Sequence, residues 1–179
     1  MSIILTAPHP ILRQVAKPIS QLDKKVLSLI ADMTTAMLAA KNPTGVGLAA
    51  PQVGVPLRLF LIRPTPRSKP QVFINPEILK YSQRTQSSKD QDGVYEGCLS
   101  IPHHYAPLTR SLSVTVRYQK PTTDNLQLTT VTETLTGFPA HIVQHELDHL
   151  NGILFIDRVL EQNSPLFKVS GKTWEQITL

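Results

Sequence analysis

The sequence predicts an α+β fold in which largely antiparallel sheets pack around one central helix. Strand-like and helix-like segments are segregated along the chain, and the connections between strand candidates are mostly short. A length of 179 residues with 41% hydrophobic content suits one sizeable core and is short for two, so residues 1–179 are read as a single domain.

The elements follow in order. Over residues 23–40, Leu22, Val26, Leu29, Ile30, Met33 and Met37 keep the spacing of one apolar stripe, which predicts a helix packed on the core. Ser20 is placed to cap its start and Asn42-Pro43 to end it. The apolar run 57–62 reads as a buried strand, and Pro64, Pro66 and Pro70 punctuate a loop before a second short strand at 72–74. Residues 82–93 are polar without apolar patterning and predict a surface excursion. Two strand candidates follow at 112–118 and 126–135, the second in near alternation. A helix over 139–150 is the last firm element, with Pro139 in its first turn and Asn151-Gly152 as its stop.

Composition narrows the function. No apolar stretch approaches a signal-peptide core or a membrane span, and Pro8, Pro10 and Pro18 interrupt the first twenty residues, so a cytoplasmic protein without membrane contact is expected. Eighteen basic against 13 acidic residues give a formal charge of +5, too modest and too scattered to point to a nucleic-acid substrate. Gly45 and Gly47 have neither the lysine of a phosphate loop nor a third glycine at dinucleotide spacing, which argues against a nucleotide cofactor. Cys98 is the only cysteine, so no internal disulfide forms and a reducing compartment is its natural setting.

The chemistry concentrates in His145-Glu146-Leu147-Asp148-His149. Residues at i and i+4 share a helix face, so both imidazoles can reach one ion while Glu146 stands beside them as a base. The central helix is therefore read as metal-binding. A third ligand is needed. No histidine follows His149, and Glu161 and Glu175 are the only downstream glutamates, which leaves the zinc-peptidase patterns poorly supported. His141 lies four residues before His145, yet His141 and His149 would stand about 12 Å apart along the axis, too far for one ion. His141 is read as a pocket-lining or packing residue. Cys98, beside Gly97, sits in a short extended stretch whose backbone can approach the helix closely, and its thiolate would leave a fourth position open.

Three ordered motifs now stand together: Gly45-Val46-Gly47-Leu48-Ala49-Ala50-Pro51-Gln52, Glu96-Gly97-Cys98-Leu99-Ser100 and Gln144-His145-Glu146-Leu147-Asp148-His149. With them the chain resembles the peptide deformylase family, whose signatures are G-x-G-L-A-A-x-Q, E-G-C-L-S and Q-H-E-x-D-H. The resemblance implies that Cys98, His145 and His149 hold one divalent ion and that Glu146 is the acid/base residue. It also implies that Gln52 and the backbone N–H of Leu99 donate to the developing oxyanion. Gly47 would hydrogen-bond the peptide through its backbone, Val46, Phe138, His141 and Ile142 would wall the side-chain pocket, and Glu96 and Gly97 complete the substrate-binding set. The implied reaction removes the formyl group from the N-terminal methionine of new proteins and releases formate.

Elementary chemistry agrees with those roles. A bound divalent ion brings its water toward ionisation near neutral pH, a carboxylate can carry the proton to the departing amine, and a neutral amide can stabilise the oxyanion. A Cys-His-His set suits zinc by softness and geometry, whereas the resemblance implies ferrous iron, replaceable by nickel, cobalt or zinc. His141 and Tyr105 depart from commoner occupants of their positions, which bears on side-chain preference. N-formylmethionyl nascent peptides are the implied partners, with transient ribosome association, and a monomer is expected. The tail after Arg158 contains Pro165 and Gly171 and shows no sustained basic face for a ribosome contact. Two other classes stand beside this reading: a metallopeptidase cleaving internal bonds, and a noncatalytic ribosome-associated or peptide-binding relative.

Overall fold

The computed structural model describes residues 3–41, 43–86, 95–122 and 127–178. Asn42, the greater part of the polar segment 82–93 and the start of the 126–135 strand candidate lie outside those residues. Helix α1 spans Lys24–Ala39 and turns Val26, Met33, Ala36 and Met37 into the core. Its cap is Asp23 rather than Ser20: the Asp23 carboxylate accepts the Val26 N–H at 2.8 Å, satisfying an otherwise orphaned first-turn donor. Strands β1 (Gly47–Ala49) and β2 (Leu59–Ile62) are buried throughout, as their unbroken apolar runs require.

Strand β3 runs over Gln71–Tyr81, well past the 72–74 segment expected, because register shifts at Ile74/Glu77 and Ile78/Lys80 break the alternation without ending the pairing. Asn75 takes a φ of 49° there, and its side chain accepts from Ile19 N–H and donates to Ile19 C=O and Gln119. Strand β5 (Glu96–Cys98) is the short extended stretch expected around Cys98, whereas β1, β4 (Thr85–Gln86), β6 (Ile101–Ala106) and β7 (Arg110–Ser111) fall outside the sequence expectation. Part of the polar excursion is thus paired, Gln86 with Arg110. Strands β8 (Ser113–Pro121) and β9 (Leu128–Thr136) follow as a long antiparallel pair.

Helix α2 covers Phe138–Leu150, starts after Gly137 and ends at Asn151, with Gly152 in the left-handed region. The chain continues into α3 (Phe155–Glu161) and a hairpin of β10 (Leu166–Ser170) and β11 (Thr173–Ile177), beyond the last element expected from sequence. All named strand pairs are antiparallel, in sheets ordered β1-β2-β3-β8-β9, β11-β10-β6-β5 and β4-β7. The fold is accordingly α+β. Among the described residues no helix is long and apolar enough to cross a membrane.

The buried apolar residues form three clusters, and α2 contributes its apolar side chains to the first. Ile142 and Leu147 join Phe60, Phe73 and Tyr118 of the five-stranded sheet; Met33, Met37 and Leu48 form a second cluster under α1; Cys98, Phe155 and Leu166 form a third. Residues 140–150 are buried without interruption, polar ones included. A helix with no wet face must satisfy Gln144, His145, Glu146, Asp148 and His149 internally, and those partners make the site.

Candidate active site

The second and third motifs meet at the buried face of α2. Cys98 at the end of β5 and the rings of His145 and His149 place their donor atoms within 4.8 Å of one another, all buried. Cys98 Sγ lies 3.2 Å from His149 Nε2, which lies 3.2 Å from His145 Nε2. Ligands of a tetrahedral ion bonded at about 2.0–2.3 Å stand about 3.3–3.6 Å apart, so the spacing fits a metal. His141 is outside this set. Its Nε2 lies 2.6 Å from Glu96 Oε2 without a well-aligned hydrogen bond, and the ring lines the cleft.

Glu96 organises the donors from behind. Its Oε1 accepts from His145 Nδ1 at 2.7 Å, which fixes the tautomer and leaves Nε2 to face Cys98 and His149. Arg110 grips the same carboxylate through two hydrogen bonds, of 2.7 and 2.9 Å, and reaches Asp148 Oδ2 at 2.7 Å. Asp148 also accepts from Arg158 at 2.6 and 3.0 Å. Burial opposes ionisation of Glu96, but Arg110, His145 and His141 outweigh it and hold the carboxyl well below its usual range. Burial likewise disfavours the His145 imidazolium, yet Glu96 and the Cys98 sulfur raise it well above the usual value. The negative charge of Glu96 therefore stabilises positive charge on the His145 side of the donor cluster. Burial, followed by the neighbouring His145 charge, holds His149 well below its usual value, so its lone pair is free to ligate.

Glu146 occupies the same cleft with Oε2 lacking a hydrogen-bond partner, and burial pushes its pKa up to about 7. Gly47 explains how the carboxylate comes so close to β1: a Cβ there would lie 2.1 Å from Glu146 Oε1. Gln52 is held on both sides, its Oε1 accepting from Ala49 N–H at 2.8 Å and its Nε2 donating to Ser100 Oγ at 3.1 Å. That amide nitrogen stands 3.7 Å from Cys98 Sγ. Leu99 lies in the turn between β5 and β6, and the N-terminal segment ties both site loops through Leu5 N–H to Gln52 C=O and Ala7 N–H to Ser100 C=O.

Val46, Gly47, Gln52, Glu96, Gly97, Leu99, Phe138, His141, Ile142, His145 and Glu146 all line this one cleft, together with Tyr95 and Tyr105. Cys98 and His149 sit behind it in the donor set. Arg110, Asp148, Ser100 and Tyr95 had no assigned role in the sequence, although Asp148 and Ser100 lie within the motifs.

A family model described as polypeptide deformylase matches residues 1–164. The chain belongs to the peptide deformylase family. It is 45% identical over 159 residues to a peptide deformylase of Agrobacterium fabrum, covering 87% of this chain and 85% of that protein. Among solved structures, the peptide deformylase of Thermotoga maritima superposes with a TM-score of 0.75 at 39% identity, covering 88% of this chain and 97% of that one. The Acinetobacter baumannii enzyme bound to Met-Ala-Ser gives a TM-score of 0.74 at 36% identity, with 88% and 99% covered. Peptide deformylases are metalloenzymes that remove the N-formyl group from nascent peptides, and the Cys98, His145 and His149 cluster is a possible seat for the metal.

Proposed function

We propose that residues 1–179 form a single deformylase domain in which Cys98, His145 and His149 hold one divalent ion. The observation that carries this reading is the convergence of three buried donor atoms within 4.8 Å beside an unpartnered, protonatable carboxylate. A divalent ion there supplies Lewis acidity that brings a water molecule toward ionisation near neutral pH. Glu146 accepts a proton from water at the cleft and passes it to the amine nitrogen as the C–N bond of the formamide breaks. Gln52 Nε2 and the Leu99 N–H stabilise the oxygen of the formyl carbon as it becomes tetrahedral, the Gln52 amide being preset by Ala49 and Ser100.

The peptide lies extended between two sheet edges, β1 at Gly47 and β5 at Glu96 and Gly97, where main-chain pairing supplies affinity. Val46, Phe138, His141 and Ile142 wall the pocket for the methionine side chain. Glu96 also serves as the outer partner that orients His145. The working ion is Fe2+, with nickel, cobalt or zinc as substitutes. The protein acts in the cytoplasm as a monomer on N-formylmethionyl nascent chains, with at most transient ribosome contact.

Metal analysis and formate release on an anaerobically prepared sample test this reading together. The expected result is about one ion per chain and formate from formyl-Met-Ala-Ser, with no internal cleavage of the unformylated peptide. Air should inactivate the iron form and spare the nickel form, by metal oxidation and damage to the thiolate. Peptide cleavage without formate would overturn the deformylase role, and equal air stability of both forms would overturn iron.

A further inference from the structure

The C-terminal hairpin lies beyond the residues matched by the family, 1–164, and it reaches the active-site cleft. On one face, Leu166 and its paired residue Ile177 pack with Phe155 and Val159 of α3. On the other, β10 pairs with β6 through Phe167 and Tyr105, and β6 pairs with β5 through Tyr105 and Gly97. Gly97 is what lets the Tyr105 ring lie across β5, since a Cβ there would stand 2.7 Å from its Cε1. Trp174 of β11 packs on Tyr105 and on Tyr95, with ring centroids 5.4 and 5.0 Å apart. Tyr95 meets Phe167 edge-on at 5.7 Å, and Phe167 lies 6.0 Å from Trp174.

Tyr95, Gly97 and Tyr105 also line the cleft. The four rings therefore form one surface that begins inside the site and ends outside it. Packing alone does not use it up: Trp174 remains 47% exposed and Tyr95 37% exposed. A contiguous aromatic patch left in water and joined to a binding cleft marks a contact surface. Because Tyr95 and Tyr105 line the cleft and both touch Trp174, the shelf is within reach of a side chain projecting from a peptide bound along β5.

We propose that this shelf is a subsite for a large aromatic side chain on one of the residues following formyl-methionine, with Trp174 as its outer wall. The inference rests on the deformylase reading above and adds a sequence preference to it. Stacking against such a wall is worth about 1 kcal/mol, or about a five- to tenfold preference.

The test uses formyl-Met peptides carrying Phe or Gly at the second, third or fourth position, with the intact chain as enzyme. At one position Phe should lower KM and raise kcat/KM about five- to tenfold over Gly; Trp174→Ala should pull that ratio toward one, and Trp174→Phe should keep most of it. Trp174 is the only tryptophan, so its fluorescence reports occupancy without any substitution. The product peptide with Phe at the preferred position should perturb the emission, and its Gly counterpart should not. Absence of a Phe preference at all three positions, or a preference with unchanged emission, would overturn the subsite. Failure of every formylated peptide to release formate would overturn the deformylase reading itself, a distinct result.

Discussion

Replacing Glu146 with glutamine should make the metal-free protein more stable while disabling it, and the size of that effect follows from burial. The Glu146 carboxyl is 3% exposed, and its pKa rises from 4.5 to about 7, chiefly because desolvation penalises the charged form. Between those values the folded protein holds a proton that the unfolded chain has released, so stability falls as pH rises through that window. At 1.36 kcal/mol per pKa unit the ionised group costs about 3 kcal/mol at pH 8 and under about 1 kcal/mol at pH 5. Glutamine has no charge to bury. The stability gap between Glu146→Gln and the wild type should therefore widen by about 2–3 kcal/mol from pH 5 to pH 8, or about 4–12 °C in Tm for a chain of this size. Urea unfolding of both proteins in chelator at the two pH values measures it, and taking the difference cancels pH-independent effects of the amide. The metal-loaded variant should lose about 10²- to 10⁴-fold in formate release. A gap that does not widen with pH would refute the account of a carboxylate held at the cost of stability, and near-wild-type turnover would refute its role as base.

Cys98→Ala should abolish stoichiometric metal binding, seen by elemental analysis, because two imidazoles remain from a three-donor set. Arg110→Met should leave Glu96 and Asp148 with buried charge and fewer partners, costing about 3–5 kcal/mol in chemical denaturation. Gly47→Ala should lower kcat by about tenfold or more, since the added methyl would fall 2.1 Å from Glu146 Oε1 and displace the carboxylate; an unchanged kcat would mean that its position is not critical.

The long periodic and alternating segments were legible in the sequence: α1 and α2 stand close to their expected bounds, as do β8 and β9. The donors to which the motifs pointed are the ones that the fold brings together across forty-seven positions, Cys98 to His145. What escaped is short or defined by its partners. Strands β4 and β7 are two residues each and exist only through pairing with one another, and α3 is too short to show a helical period. In the hairpin Gly171 takes a φ of 60°, as its turn requires, but a lone glycine beside Phe167, Lys168 and Val169 gives alternation over too few residues to stand out. Arg110 was invisible for a different reason. An arginine among polar and apolar neighbours looks like surface, and only the fold shows it buried between Glu96 and Asp148.

The uninterrupted burial of α2 constrains how this protein can vary. Ordinary amphipathic helices tolerate substitution on every third or fourth residue, the ones that face water, and so accept mutations in a periodic pattern. Residues 140–150 have no such face. A saturation library across this stretch should return a continuous block of intolerance, with apolar positions failing by loss of fold and His145, Glu146 and His149 failing by loss of chemistry. The preservation of a motif here would then record packing on all sides as much as catalysis, and drift toward new specificity would have to enter through the β1 and β5 edges and the C-terminal hairpin.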